Sequence, residues 1–133
     1  MAKRRIFVKK NMNTDKNTFK VIIAGGRDFA DYQKLYKTAN KILQNKKNIE
    51  IVSGGAKGAD ALGEKYAKEM SFELKIFPAD WNKHGKGAGF IRNKQMADYA
   101  DALIAYWNGE SKGTKHMIET AKKQKLNIRI IKY

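Results

Sequence analysis

From Phe19 onward, short apolar runs alternate with longer stretches in which apolar residues recur every three or four positions. FKVIIAGG is rich in β-branched residues and ends on glycines, which predicts a buried strand. In ADYQKLYKTANKILQNKK, residues Tyr32, Leu35, Tyr36, Ala39, Ile42 and Leu43 share one helical face, and Asp31 stands where an N-cap is needed. IEIVSGG predicts a second strand, and GADALGEKYAKEM a second helix with Ala61, Leu62, Tyr66 and Ala67 turned inward. FELKIFP predicts a third strand, stopped by Pro78, the one proline of the chain. ADWNKHGKGAG reads as a loop, FIRNKQMADYA as a helix and DALIAYW as a fourth strand opened by Asp101. GESKGT is a further glycine loop, KHMIETAKKQK a helix and LNIRIIKY a last strand.

Apolar strands that alternate with amphipathic helices imply a parallel sheet covered on both faces. Right-handed crossovers then give an α/β fold, a single-domain Rossmann-like doubly wound parallel sheet of about five strands over residues 19–133. Residues 1–18 lie outside this alternation and read as a basic N-terminal arm, in which Ile6 to Val8 form an edge strand or a sticky element. No internal repeat and no second domain are evident, as expected for 133 residues.

The composition narrows the classes of function. With 42% apolar residues the chain has enough material for a core. It has no cysteine, which excludes disulfides and cysteine-held zinc, and His84 and His116 stand in no metal-binding spacing. No metal site and no cofactor is expected. No apolar run approaches the roughly 20 residues of a membrane span, and the N-terminus lacks the apolar core of a secretory signal. A soluble, cytoplasmic protein of a reducing compartment is the expectation.

The formal net charge is +15. The first twenty residues hold seven basic side chains (Lys3, Arg4, Arg5, Lys9, Lys10, Lys16 and Lys20) against Asp15 alone. Such a surplus favours anionic partners such as nucleotides, nucleic acid or acidic proteins; the alternative is a lysine-rich solvated surface.

In a doubly wound fold the ligand sits beyond the carboxyl ends of the strands, so the loops after Ala24, Val52, Phe77 and Tyr106 carry the chemistry. Three of them, AGGRDF, SGGAKGAD and NGESKGT, are rich in glycine, and the fourth includes GKGAG. Glycine lets a ligand approach the backbone, and a helix starting there aims free N–H groups and its positive dipole end at the same spot. The product is an anion site suited to phosphate. One such loop is an ordinary turn; three at one end of one sheet point to a site. Neither a Walker loop nor a strict GxGxxG is present.

The ligand-binding candidates are Gly25, Gly26, Arg27, Ser53, Gly54, Gly55, Gly58, Asp60, Arg92, Asn93, Ser111, Gly113 and Thr114. Arg27 is placed for a bidentate phosphate contact, or else pairs with Asp28 or Asp31. Asp60 suits ribose hydroxyls, or steadies a helix start. Arg92 and Asn93 open a helix after GKGAG, where charge, dipole and donors converge. Ser111 and Thr114 suit phosphate oxygens, an N-cap, or both. Lys57 adds charge or points to water. Trp81 stacks on a base or packs locally, and His84 is an acid–base group or a solvated loop residue. Tyr106 and Trp107 read as core or rim.

Taken together, GGRDF, VSGGAKGAD, the Arg92–Asn93 pair in FIRNKQMADYADALIAYW and GESKGT resemble the SLOG superfamily. That Rossmann-like group includes the LOG phosphoribohydrolases and the DNA-processing protein DprA, and the YspA, cpYpsA-related branch is the most similar. The resemblance spans Phe19 to Tyr133 and implies a nucleotide or nucleotide-derived ligand. LOG enzymes cleave nucleoside monophosphates with an arginine, a proline-glycine-glycine-x-glycine-threonine loop and following glutamates. Arg92, Gly113 and Thr114 match parts of that pattern. The proline is absent, His116 and Met117 stand where the glutamates would fall, and Glu119 comes later on the same helix. A carboxylate is what would stabilise the cationic centre left as base and sugar part.

Three functions follow as expectations. The first is a binding domain, a sensor or sequestering protein for a molecule with phosphate and ribose. The second is a phosphoribohydrolase-like enzyme using Arg92 with Glu119, Asp60 or His116. The third is nucleic-acid binding through the basic arm, as DprA suggests for its superfamily. A homo-oligomer fits all three.

Overall fold

The computed structural model describes residues 17–133; of the predicted arm, residues 1–18, the first sixteen with the Ile6–Val8 triplet lie outside the described residues. Five strands form one parallel sheet: β1 (Phe19–Gly25), β2 (Ile49–Ser53), β3 (Glu73–Ile76), β4 (Ala102–Trp107) and β5 (Asn127–Lys132), in the spatial order β3-β2-β1-β4-β5. The helices are α1 (Tyr32–Leu43), α2 (Ala59–Glu69), α3 (Trp81–His84), α4 (Ala88–Tyr99) and α5 (Lys112–Lys123). The order reverses between β1 and β4, which places the topological switch point at their carboxyl ends, near the register pair Gly25–Tyr106.

Alternation along the strands divides the core into two layers. Val21, Ile23, Ile51, Ile104 and Tyr106 pack with Leu35, Ala39 and Leu43 of α1 and Tyr66 and Ala67 of α2. Ile22, Ala24, Val52, Leu103 and Ala105 pack on the other face with Met96 and Ala97 of α4 and Met117, Ile118 and Ala121 of α5. Burying each such Val, Leu or Ile contributes about 1.5–3 kcal/mol. The outer strands differ from the inner ones: β3 and β5 are largely exposed, with Ile76 and Ile130 both open to solvent.

Asp31 caps α1 as predicted, accepting from the Lys34 N–H at 3.0 Å. Three expectations are corrected. Ala61 faces solvent; α2 is rotated so that Ala59, Gly63, Tyr66 and Ala67 turn inward. Gly63 permits this, since a Cβ there would lie 2.8 Å from the Ile23 side chain. Tyr36 is more exposed than its predicted face implies, with its ring edge-on to Tyr66 at 6.0 Å. The segment ADWNKHGKGAG is not a loop: it holds α3, capped by Asp80, then a 3₁₀ turn (Gly85–Gly87) and the first residues of α4.

Candidate functional site

At the switch point lies a cavity of about 460 Å³, within the range of small-ligand sites. Of the predicted residues, Gly25, Gly26, Arg27, Asp60, Arg92, Asn93, Ser111, Gly113 and Thr114 line it. Gly54 and Gly55 line a second cavity next to it, while Ser53 and Gly58 line neither.

Three backbone donors of the loop after β2, those of Gly54, Gly55 and Ala56, are spent on the protein itself. Asp60 is only 5% exposed and sits under the loop, with its Oδ2 accepting from the Ala56 N–H at 3.2 Å and the Gly54 N–H adding a second backbone bond. The Gly55 N–H donates to Ser53 Oγ at 3.1 Å. Ser53 is fully buried and its hydroxyl donates to Glu64 Oε2 at 2.7 Å. The Asp60 carboxylate thus takes up the Gly54 and Ala56 amides of the predicted phosphate loop.

Gly58 has a different task. Its φ is +76°, and a Cβ there would overlap the carbonyl oxygens of Gly26 and Arg27. The next residue, Ala59, donates its N–H to the Gly26 oxygen at 3.1 Å. The start of α2 is therefore docked on the β1–α1 turn. Gly26 itself donates to the Tyr106 oxygen at 3.0 Å, and a side chain on it would collide with the Tyr133 hydroxyl.

Arg92 and Asn93 are the fifth and sixth residues of α4, one turn inside the helix, so its dipole end is not what recruits them. The guanidinium ties the site together: Nη1 donates to the Gly54 oxygen and Nε to Asn93 Oδ1 at 3.1 Å. That bond fixes the Asn93 amide, whose Nδ2 then donates to His116 Nδ1 at 3.2 Å and toward the Gly113 oxygen at 3.4 Å. His116 stacks on Phe90 with ring centroids 4.0 Å apart and accepts at Nδ1, which requires its neutral form. Burial holds the imidazole below its ordinary pKa, Glu119 opposes this and Lys123 reinforces it.

Burial also raises the Asp60 carboxyl to about 6, against the opposing pull of the Ala56 N–H and Arg92. Arg92 is lowered mainly by burial and further by the like charge of Arg27, while Asp60 opposes. Arg27 is exposed, and among the described residues it is in no ion pair; Asp28 instead accepts from the Tyr133 hydroxyl at 2.5 Å and Asp31 caps α1. Ser111 caps α5, accepting from the Thr114 N–H at 3.3 Å, so its structural role is realised. Glu119 is exposed on α5 and lines neither cavity.

Sequence reasoning missed several lining residues, chiefly Lys86, Phe90 and Asn108. Phe90 is 50% exposed and Trp81 51%, so two large aromatics stand open at the cavity. Phe90 was legible only as part of a helical apolar pattern, which masked its exposure.

Fold and site together define a Rossmann-like α/β domain with a cationic, aromatic-walled cavity at its switch point. The sequence model of the YspA, cpYpsA-related SLOG family matches residues 19–84, and the chain belongs to that family. Gene 61 protein of Mycobacterium phage D29 is 34% identical over 121 residues, spanning 86% of this chain and 95% of the phage protein. DNA processing protein A from Helicobacter pylori, a structure described for its single-stranded DNA binding mode, superposes with a TM-score of 0.68 at 20% identity, covering 89% of this chain and 68% of that one. DprA from Streptococcus pneumoniae gives 0.67 at 18% identity, covering 86% of this chain and 50% of that one. At these identities the two structures speak for the fold.

Proposed function

We propose that this chain binds a nucleotide or nucleotide-derived ligand, with phosphate and ribose, in the switch-point cavity. The carrying observation is the set of groups around one space: the cations of Arg27, Lys86 and Arg92 with the open rings of Phe90 and Trp81. Guanidinium groups suit phosphate and exposed aromatic faces suit a base.

Binding without turnover is the preferred form. A phosphoribohydrolase needs a carboxylate against the developing sugar cation. Glu119 lies outside the cavity, and Asp60 is engaged by its own loop. Single-stranded nucleic acid is the second reading, favoured by the +15 charge and by the DprA-like fold.

Calorimetry with nucleoside mono- and diphosphates and ADP-ribose tests the proposal. Saturable binding is expected, weakened about tenfold or more by Arg27→Ala, the size of one charged hydrogen bond. Chromatography of the same mixtures should show no free base above background. Absence of heat from every ligand would overturn the reading.

A further inference from the structure

The switch-point cavity does not end at Arg92. A second cavity of about 460 Å³ adjoins it and shares Arg27, Ala56, Trp81 and Arg92 with it. Its remaining walls are Gly54, Gly55, Lys57, Pro78 and Ala79. Arg92 stands on the divide, with Nη1 held by the Gly54 oxygen of the second cavity and Nη2 beside Gly89 of the first. Arg27 lines both as well, close enough to Arg92 for the two like charges to act on each other. Two guanidinium groups that line both cavities and act on each other as like charges form a place that an anion would neutralise. Each side of that place also has an apolar wall, Phe90 in the first cavity and Pro78 in the second, and Trp81 serves both.

Resting on the nucleotide reading above, we propose that the site takes two nucleotide units joined through phosphate, the linking phosphate between Arg27 and Arg92 and one base in each cavity. A mononucleotide fills the first cavity and leaves Lys57, Pro78 and Ala79 uncontacted. A dinucleotide uses both, and its second base packs against Trp81 and Pro78. The same chemistry is presented by a free dinucleotide and by two consecutive residues of a single strand.

The test is titration of the full chain, by calorimetry and by quenching of tryptophan fluorescence. The ligands are the four 5′-mononucleotides, the four 5′-phosphorylated homodinucleotides and a twenty-residue oligothymidylate. The expected result is a dinucleotide that binds at least about tenfold tighter than its mononucleotide, roughly the contribution of one stacked base. Ala79→Trp, which fills the second cavity, and Lys57→Glu, a surface change at its edge, should each erase that advantage and leave mononucleotide affinity within about twofold. Agreement of the two variants guards against a folding artefact in either one. If the oligothymidylate binds and loses affinity in the same variants, the source is a strand; if only dinucleotides respond, it is a free small molecule. Equal affinity for mono- and dinucleotides, or variants that leave the advantage intact, overturns the second subsite while the nucleotide reading stands. Absence of binding by any of them overturns both.

Discussion

Asp60 shows how much of a buried acid's setting is hidden from the sequence. Its place in the first turn of a helix suggested either a sugar contact or a cap, and its carboxylate in fact gathers the amides of the loop four to six residues before it. That arrangement depends on the path of the Gly54–Ala56 backbone, which residue types alone do not specify. The same cause hid the fate of Ser53, whose partner Glu64 lies eleven residues on. Arg92 was legible as a charge near the site, but its bond to the Gly54 carbonyl was not. Asp60 also makes a pH prediction. Its carboxyl is raised from 3.8 to about 6 in the folded protein, so between those values the native state holds a proton that the unfolded chain has released. Stability should therefore fall as pH rises through that window, by no more than about 3 kcal/mol. Urea unfolding at pH values from 4 to 7 should show the decline, and Asp60→Asn should flatten it. An unchanged slope in the variant would assign the pH dependence elsewhere.

At the scale of elements, the strands and long helices were legible because each carries a clear period. Val21 to Ala24 form an unbroken apolar run, and Leu35, Ala39 and Leu43 recur at four-residue spacing. α3 was not legible: four residues, WNKH, have no room for a period, and none of its side chains is buried. The start of α4 was hidden by Gly87 and Gly89, which resemble loop residues yet lie beside and within the helix. The junction of α2 with the β1–α1 turn is the element-level feature with the sharpest consequence. Gly58→Ala must bring a Cβ against two backbone oxygens at positive φ, and it should cost at least about 2 kcal/mol. Chemical denaturation measures this directly. Gly113→Ala is the control, because a Cβ there meets nothing within 4 Å.

For the whole molecule, the doubly wound architecture followed from alternation alone, whereas the joining of two cavities across Arg92 could be found only in three dimensions. Net charge acts at this scale too. Six basic residues and one acid fall in Met1 to Lys16, so removing that segment lowers +15 to +10. If single strands bind, affinity of the full chain should drop about tenfold or more between roughly 50 and 200 mM salt, as two or three phosphates are neutralised. Gel shifts across that range, with and without the first sixteen residues, measure the effect. An unaltered slope in the shortened chain would remove the arm from the interaction.

Tyr133 reaches back to the β1–α1 turn, its hydroxyl on Asp28 and its ring 4.8 Å from Phe29, directly behind Gly26. The practical corollary concerns handling. A purification handle fused straight after Tyr133 is expected to disturb the β1–α1 turn behind Gly26, so a long spacer is the safer attachment.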